Sequence, residues 1–209
     1  MQLVEGADTG LKVMEMSGIE AINSEIFRWI NRPAGREPAL DYIATFFAEG
    51  GLYILIVLLV LLWFAVDKER RNELLLATEA SLSGLLLNFV ITLFYFHPRP
   101  FMIGTGHLLI PHEAETSFPS DHVTVILSAS VYLLLSGQWI SLGMVLLVIA
   151  ILTAWGRVYC GIHFPFDMLG SLAVSFIASL FIYITHPVIR PLNRKIIRLY
   201  DIIFGRFIS

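Results

Sequence analysis

Apolar positions run through this chain in five blocks: Leu40–Val66, Glu73–Phe96, Val123–Leu135, Trp139–Trp155 and Met168–Ile184. The first two exceed the ~20 residues that a helix needs to cross a hydrocarbon core of about 30 Å. The later three are shorter but equally apolar. Ahead of them, Ile19, Ile22, Ile26, Phe27 and Ile30 recur at helical spacing, with Glu20, Glu25 and Arg28 on other faces. This predicts an amphipathic helix over 17–31, with Ser17 as its N-cap, lying at the interface or packed on the bundle. Asn31–Pro38 reads as a polar turn and Asp67–Asn72 as a charged loop, while Gly50-Gly51 offers a kink in the first span. Residues 1–13 carry no periodicity, and Arg190–Arg206 is basic and amphipathic. The expected architecture is an all-α, polytopic transmembrane bundle of five to six membrane helices. Its segments are a leader and interfacial helix (1–38), a membrane-embedded domain (39–186) and a basic cytoplasmic tail (187–209).

Composition agrees with the pattern. The chain has 209 residues, 56% of them hydrophobic and 15% charged, and its mean hydropathy is +0.75. That places it outside the soluble class. A net charge of −3 gives no basic footprint for nucleic acid. One cysteine, Cys160, excludes an internal disulfide and any cysteine-rich metal site. No secretory signal pattern precedes the first apolar run.

Two connectors stand out. His97–Phe118 is 22 residues long, which is unusual between helices of a bundle and marks a functional loop. The other, Gly156–Asp167, puts a guanidinium, an imidazole and a carboxylate within twelve residues. Because the third and fourth spans cross and return, both connectors must lie on the same face of the membrane. Lys68, Arg70, Arg71, Arg190, Arg194, Lys195, Arg198 and Arg206 fall on the opposite face, against Lys12, Arg28, Arg32 and Arg36 on the connector face. The basic loop and tail are therefore expected in the cytoplasm, and the connectors outside.

The residue types gathered there suit a phosphate. Arg99 and Arg157 present planar, permanently charged forks that match phosphate oxygens. Ser120 occupies an N-cap position, so the following amides and its hydroxyl can bind an anion. Pro165 suits the first turn of the fifth span, placing His163 just ahead of it and Asp167 within it. A carboxylate on one imidazole nitrogen leaves the other free as a nucleophile. His122 is then available as the acid for a leaving oxygen. A metal site from His122, His163 and Asp167 would be repelled by two adjacent arginines, and none is expected. A Ser120–His163–Asp167 hydrolase triad would leave the arginines unexplained and lacks a G-x-S-x-G elbow.

In order along the chain, Arg99-Pro100, Pro119-Ser120-Asp121-His122 and Arg157-x5-His163-x3-Asp167 resemble the three-part signature of the type 2 phosphatidic acid phosphatase superfamily. The resemblance covers about residues 40–186. It implies a phosphohistidine on His163, orientation by Asp167, acid catalysis by His122, and phosphate binding by Arg99, Arg157 and Ser120, with no metal or other cofactor. The chain departs from that signature in three places. Thr92 stands where the family has lysine, so His97 is expected to supply part of that contact. Asp121 replaces the usual glycine, and Gly156 the usual serine. The wording Ser-Phe-Pro-Ser-Asp-His and Asp-Met-Leu-Gly-Ser is similar to the bacterial undecaprenyl-diphosphatase branch, associated with bacitracin resistance. That implies an isoprenoid diphosphate lipid as substrate, membrane lipids as surroundings and the bacterial plasma membrane as location. The alternatives are a phosphatidylglycerophosphate or phosphatidate phosphatase, and a lipid-phosphate binder or transporter.

Overall fold

A computed structural model describes residues 18–204; Ser17, the 1–13 leader with Lys12, and Arg206 lie outside the described residues. Among the described residues there are six α-helices and no strand. They are α1 (Gly18–Asn31), α2 (Pro38–Ala65), α3 (Lys68–Thr92), α4 (Asp121–Ser136), α5 (Ile140–Tyr159) and α6 (Pro165–Phe204), with a 3₁₀ turn at Pro100–Ile103. Helices α2, α3, α5 and α6 are long and apolar enough to cross a membrane. The chain is a multi-pass membrane protein.

Helix α4 is the hub. It packs against α3, α5 and α6, while α2 leans on α5. With 16 residues it is the shortest of these bundle helices, and its Val123, Ile126, Ala129, Tyr132 and Leu133 are buried in the main apolar cluster. The lipid-facing surface comes from its neighbours: only 17% of the apolar window of α2 is buried, so most of that helix looks outward. An all-apolar interior gives helices in lipid little reason to choose one register. Here hydroxyls supply it. Ser171, Ser175 and Ser179, one per turn of α6, donate to the carbonyls of Ser120, Thr124 and Ser128 on α4. Asn88 of α3 reaches Asp121 Oδ1 at 2.7 Å and Thr124 Oγ1 at 3.1 Å. These bonds fix the ends of α4 and α6 that face the connectors.

Three local expectations change. The charged stretch 67–72 is no loop: Asp67 caps α3 through Arg70 N at 2.9 Å, and Lys68–Asn72 forms its first turns. Lysine, arginine and glutamate are good helix formers, so charge alone did not mark a break. Gly50-Gly51 does not interrupt α2. A Cβ on Gly51 would lie 2.0 Å from Thr153 Oγ1, so that glycine serves close packing on α5. The basic tail is not separate: α6 continues through Pro187 and Pro191 to Phe204. Pro187 removes the N–H that would reach the Tyr183 carbonyl. His186 Nδ1 donates to that carbonyl instead.

Candidate active site

The C-terminal end of α5, the N-termini of α4 and α6, and the 97–120 connector after α3 meet at one end of the bundle, as the topology requires. They enclose a cavity of about 280 Å³ into which Arg99, His122, Arg157 and His163 all face. Its remaining polar lining is Thr92, His112, Glu115, Thr116 and Asp121, and Leu85 and Phe89 of α3 form an apolar wall.

His163 sits in the turn between α5 and α6, 2% exposed. Its Nε2 lies 3.2 Å from Arg99 Nη1. A guanidinium can only donate, so Nε2 carries a lone pair and the proton is on Nδ1. Nδ1 faces Asp167 Oδ2 at 3.4 Å and Ser117 Oγ at 3.3 Å. Burial, reinforced by the two guanidinium groups and opposed by Asp167, pushes the His163 imidazole down to about 3. The ring is neutral at working pH, and its lone pair points to the cavity side.

Asp167, on the first turn of α6, is fully buried. Its Oδ2 accepts Phe164 N at 2.7 Å and the hydroxyl of Ser117. Its Oδ1 faces His97 Nδ1 at 3.2 Å. Ser117 is thus on the Nδ1 side of His163, away from the lone pair, and Ser120 is not beside the imidazole at all; no serine triad forms.

The guanidinium groups are buried and anchored. Arg157, 2% exposed, donates from Nη1 to the Ala48 carbonyl of α2 at 3.1 Å, and its Nη2 lies 3.3 Å from His112 Nε2. That contact requires a neutral His112, whose pKa burial and the Arg99 charge lower. Arg99 donates from Nη1 to the Ile162 carbonyl at 3.2 Å and from Nη2 to Glu115 Oε1 at 3.0 Å. Among the described residues, Nε of each guanidinium is buried without a hydrogen-bond partner. Two fixed cations with donors in reserve suit an anion with several oxygens.

Two expected phosphate contacts are placed differently. His97 does not line the cavity. Its amide donates to Thr116 Oγ1 and its carbonyl accepts from Ser117 N, which ties it to the connector. The ring stacks on Tyr95 and leans on Phe164, behind Asp167. Ser120 has the backbone of an N-cap but makes no side-chain cap bond, and its amide donates to Ser171 Oγ at 2.9 Å. Its hydroxyl is buried without a partner and does not line the cavity.

The departures from the signature also find physical reasons. The carboxylate of Asp121 is held by Asn88. Gly156 packs on α2 so closely that a Cβ would lie 2.5 Å from the Ala44 carbonyl oxygen, leaving no room for the usual serine. Thr92 lines the cavity, and its hydroxyl donates to the Phe89 carbonyl at 2.8 Å. Among the described residues no lysine lines the cavity, and the connector contributes His112 to it. Sequence reasoning marked that connector as functional yet singled out neither His112, Glu115 nor Ser117. Its length marked the segment, and the wording Ser-Phe-Pro-Ser-Asp-His contains Ser117 without giving it a role.

A membrane helical bundle with two buried arginines and a histidine–aspartate pair at one end is the arrangement of a lipid phosphatase. Comparison with known proteins agrees: the model of the PAP2 superfamily matches residues 73–191. Undecaprenyl-diphosphatase BcrC of Bacillus subtilis (strain 168) is 35% identical over 185 residues, 88% of this chain and 95% of that protein. YbjG of Escherichia coli (strain K12) is 34% identical over 164 residues, 78% of this chain and 81% of that one. Among solved structures, Aquifex aeolicus LpxE superposes with a TM-score of 0.66 at 27% identity, covering 81% of this chain and 96% of that one. The chain belongs to the PAP2 superfamily.

Proposed function

We propose that the chain hydrolyses undecaprenyl diphosphate to undecaprenyl phosphate and inorganic phosphate on the outer face of the membrane, through a phosphohistidine. The observation that carries this reading is His163 Nε2, unprotonated and 3.2 Å from the Arg99 guanidinium at the cavity. Similarity to the Bacillus subtilis enzyme supports the choice of lipid. The apolar wall of Leu85 and Phe89 suits an isoprenoid chain leaving the cavity towards lipid, Phe89 being 60% exposed.

The terminal phosphate enters between Arg99 and Arg157, which bind its oxygens as charge redistributes. Nε2 attacks phosphorus in line with the bridging oxygen. The N–P bond forms, the P–O bond breaks, and the electron pair leaves with undecaprenyl phosphate, which His122 can protonate. Asp167 keeps the Nδ1 proton in place and balances the positive charge that the phosphorylated ring acquires. Water, deprotonated by His122, then attacks phosphorus and releases phosphate and the neutral imidazole. His163, Asp167 and His122 thus do the chemistry, and no metal enters a step.

Purified protein is expected to release phosphate from undecaprenyl diphosphate faster than from phosphatidylglycerophosphate, unchanged by EDTA. Preference for the acyl lipid would reassign the substrate, and EDTA-sensitive activity restored by a divalent cation would overturn the mechanism. The face is tested separately. In a Cys160→Ser background, Thr105→Cys is expected to react with an impermeant maleimide on intact cells, and Glu69→Cys, whose position is exposed at the other end of α3, only after lysis. The reverse pattern would put the cavity in the cytoplasm.

A further inference from the structure

The imidazole of His97 has no part in the phosphate cavity, and two carboxylates approach it from two other elements. On α6, Asp167 Oδ1 lies 3.2 Å from Nδ1; on α1, Glu20 Oε2 lies 3.7 Å from Nε2. The ring is otherwise enclosed by Tyr95, stacked at 6.3 Å, and Phe164, at 5.3 Å. Its side chain is 13% exposed, against 40% for Glu20. Asp167 therefore has one oxygen for each histidine: Oδ2 towards His163, Oδ1 towards His97.

We propose that His97 is a positioning residue: it holds the second oxygen of Asp167 and so sets the carboxylate that orients His163, while Glu20 holds His97 from the interfacial helix. The inference rests on the phosphatase reading and deepens it. It makes α1 part of the catalytic assembly through a line running Glu20–His97–Asp167–His163, although α1 touches no phosphate.

The chemistry of the ring sharpens the idea. A neutral imidazole offers one donor and one acceptor, so one nitrogen would present a lone pair to a carboxylate. Neither approach is an aligned hydrogen bond, and Nδ1 and Oδ1 are both buried without a hydrogen-bond partner among the described residues; the contacts are electrostatic, and only the imidazolium is drawn to both carboxylates. Asp167 raises the pKa of His97 above 6.5, Glu20 adds to the shift, and burial opposes it. A raised pKa means that the imidazolium persists to higher pH than in a free histidine and is lost as pH rises through that raised value. A cation beside Oδ1 also keeps Asp167 ionised in a site without solvent. When His97 loses its proton, Asp167 is held less firmly and His163 is oriented less well. Turnover should fall on that basic limb without loss of substrate binding.

The test uses the purified full chain in detergent, with undecaprenyl diphosphate as substrate and inorganic phosphate as probe of the cavity's anion contacts. His97→Ala is expected to lower kcat by roughly 10–100-fold, the scale for outer partners that orient a catalytic group. KM and the inhibition constant for inorganic phosphate should stay within about 3-fold, since no phosphate contact is lost. His97→Asn, which can still donate to Oδ1, should recover part of kcat and abolish the basic limb of the kcat–pH profile. Glu20→Gln should move that limb to lower pH, because one of two anions stabilising the imidazolium is gone. Weakened inhibition by inorganic phosphate in proportion to kcat would make His97 a phosphate contact and overturn the proposal. So would unchanged kcat in His97→Ala, or a basic limb unmoved in both His97→Asn and Glu20→Gln. If wild type releases no phosphate from any lipid phosphate, the phosphatase reading fails and this inference falls with it; if wild type is active, only the role of His97 is at stake.

Discussion

His163→Ala is expected to remove nearly all phosphate release while leaving lipid binding within a few-fold. The proposed reaction has no second route, because the group that would accept phosphorus is Nε2 itself. In the proposed mechanism, binding would rest instead on Arg99, Arg157 and the apolar wall, which the substitution leaves in place. Asp167→Asn should be less complete, costing roughly 10²–10⁴-fold in kcat, the range for a misoriented histidine–carboxylate pair. Oδ2 collects Phe164 N, the Ser117 hydroxyl and the Nδ1 side of His163. An amide would bring either a neutral acceptor or a competing donor into that cluster, so the tautomer with a lone pair on Nε2 loses its preference. Steady-state kinetics beside a lipid-binding measurement separate the two effects. A tenth or more of wild-type turnover in His163→Ala would remove this residue as nucleophile, and the most direct check is an acid-labile phosphorylated intermediate in wild type that this variant cannot form.

Arg157→Lys should lower turnover by roughly 10²–10³-fold, the scale for loss of a preorganised donor to a developing oxyanion. Vanadate inhibition should weaken with it. Vanadate adopts the five-coordinate shape that phosphorus passes through, so it reports on the groups that hold that shape. The Arg157 fork has one arm on the Ala48 carbonyl and the other beside His112. This leaves Nε among its unshared donors. A lysine offers a single point of charge on a flexible stem and cannot anchor on α2 while also spanning phosphate oxygens. Unaltered vanadate inhibition in Arg157→Lys, with turnover intact, would show that the guanidinium anchors α5 to α2 and plays no part in phosphate recognition.

Much of this was legible in the sequence because the bilayer is a demanding solvent. Every backbone group inside it must be bonded, so long apolar runs can only be helices, and their order forces the two connectors onto one face. Motif spacing added the His163–Asp167 pair, with His163 just ahead of α6 and Asp167 in its first turn. The residue types in the connectors were enough to point to a phosphate. Pattern reading failed where charge looked like punctuation: Asp67–Asn72 became the cap and start of α3.

What only the tertiary structure decided is which groups share the site. His97 and Arg99 are two residues apart, yet one faces the back of Asp167 and the other the phosphate cavity. Sequence proximity could not separate them, because each direction is set by partners far along the chain: Glu20 and Asp167 for His97, Ile162 and Glu115 for Arg99. Ser117 and His112 were silent for the same reason. A long connector has no periodicity to read; its side chains acquire roles only when the helices it joins bring it against Asp167 and Arg157.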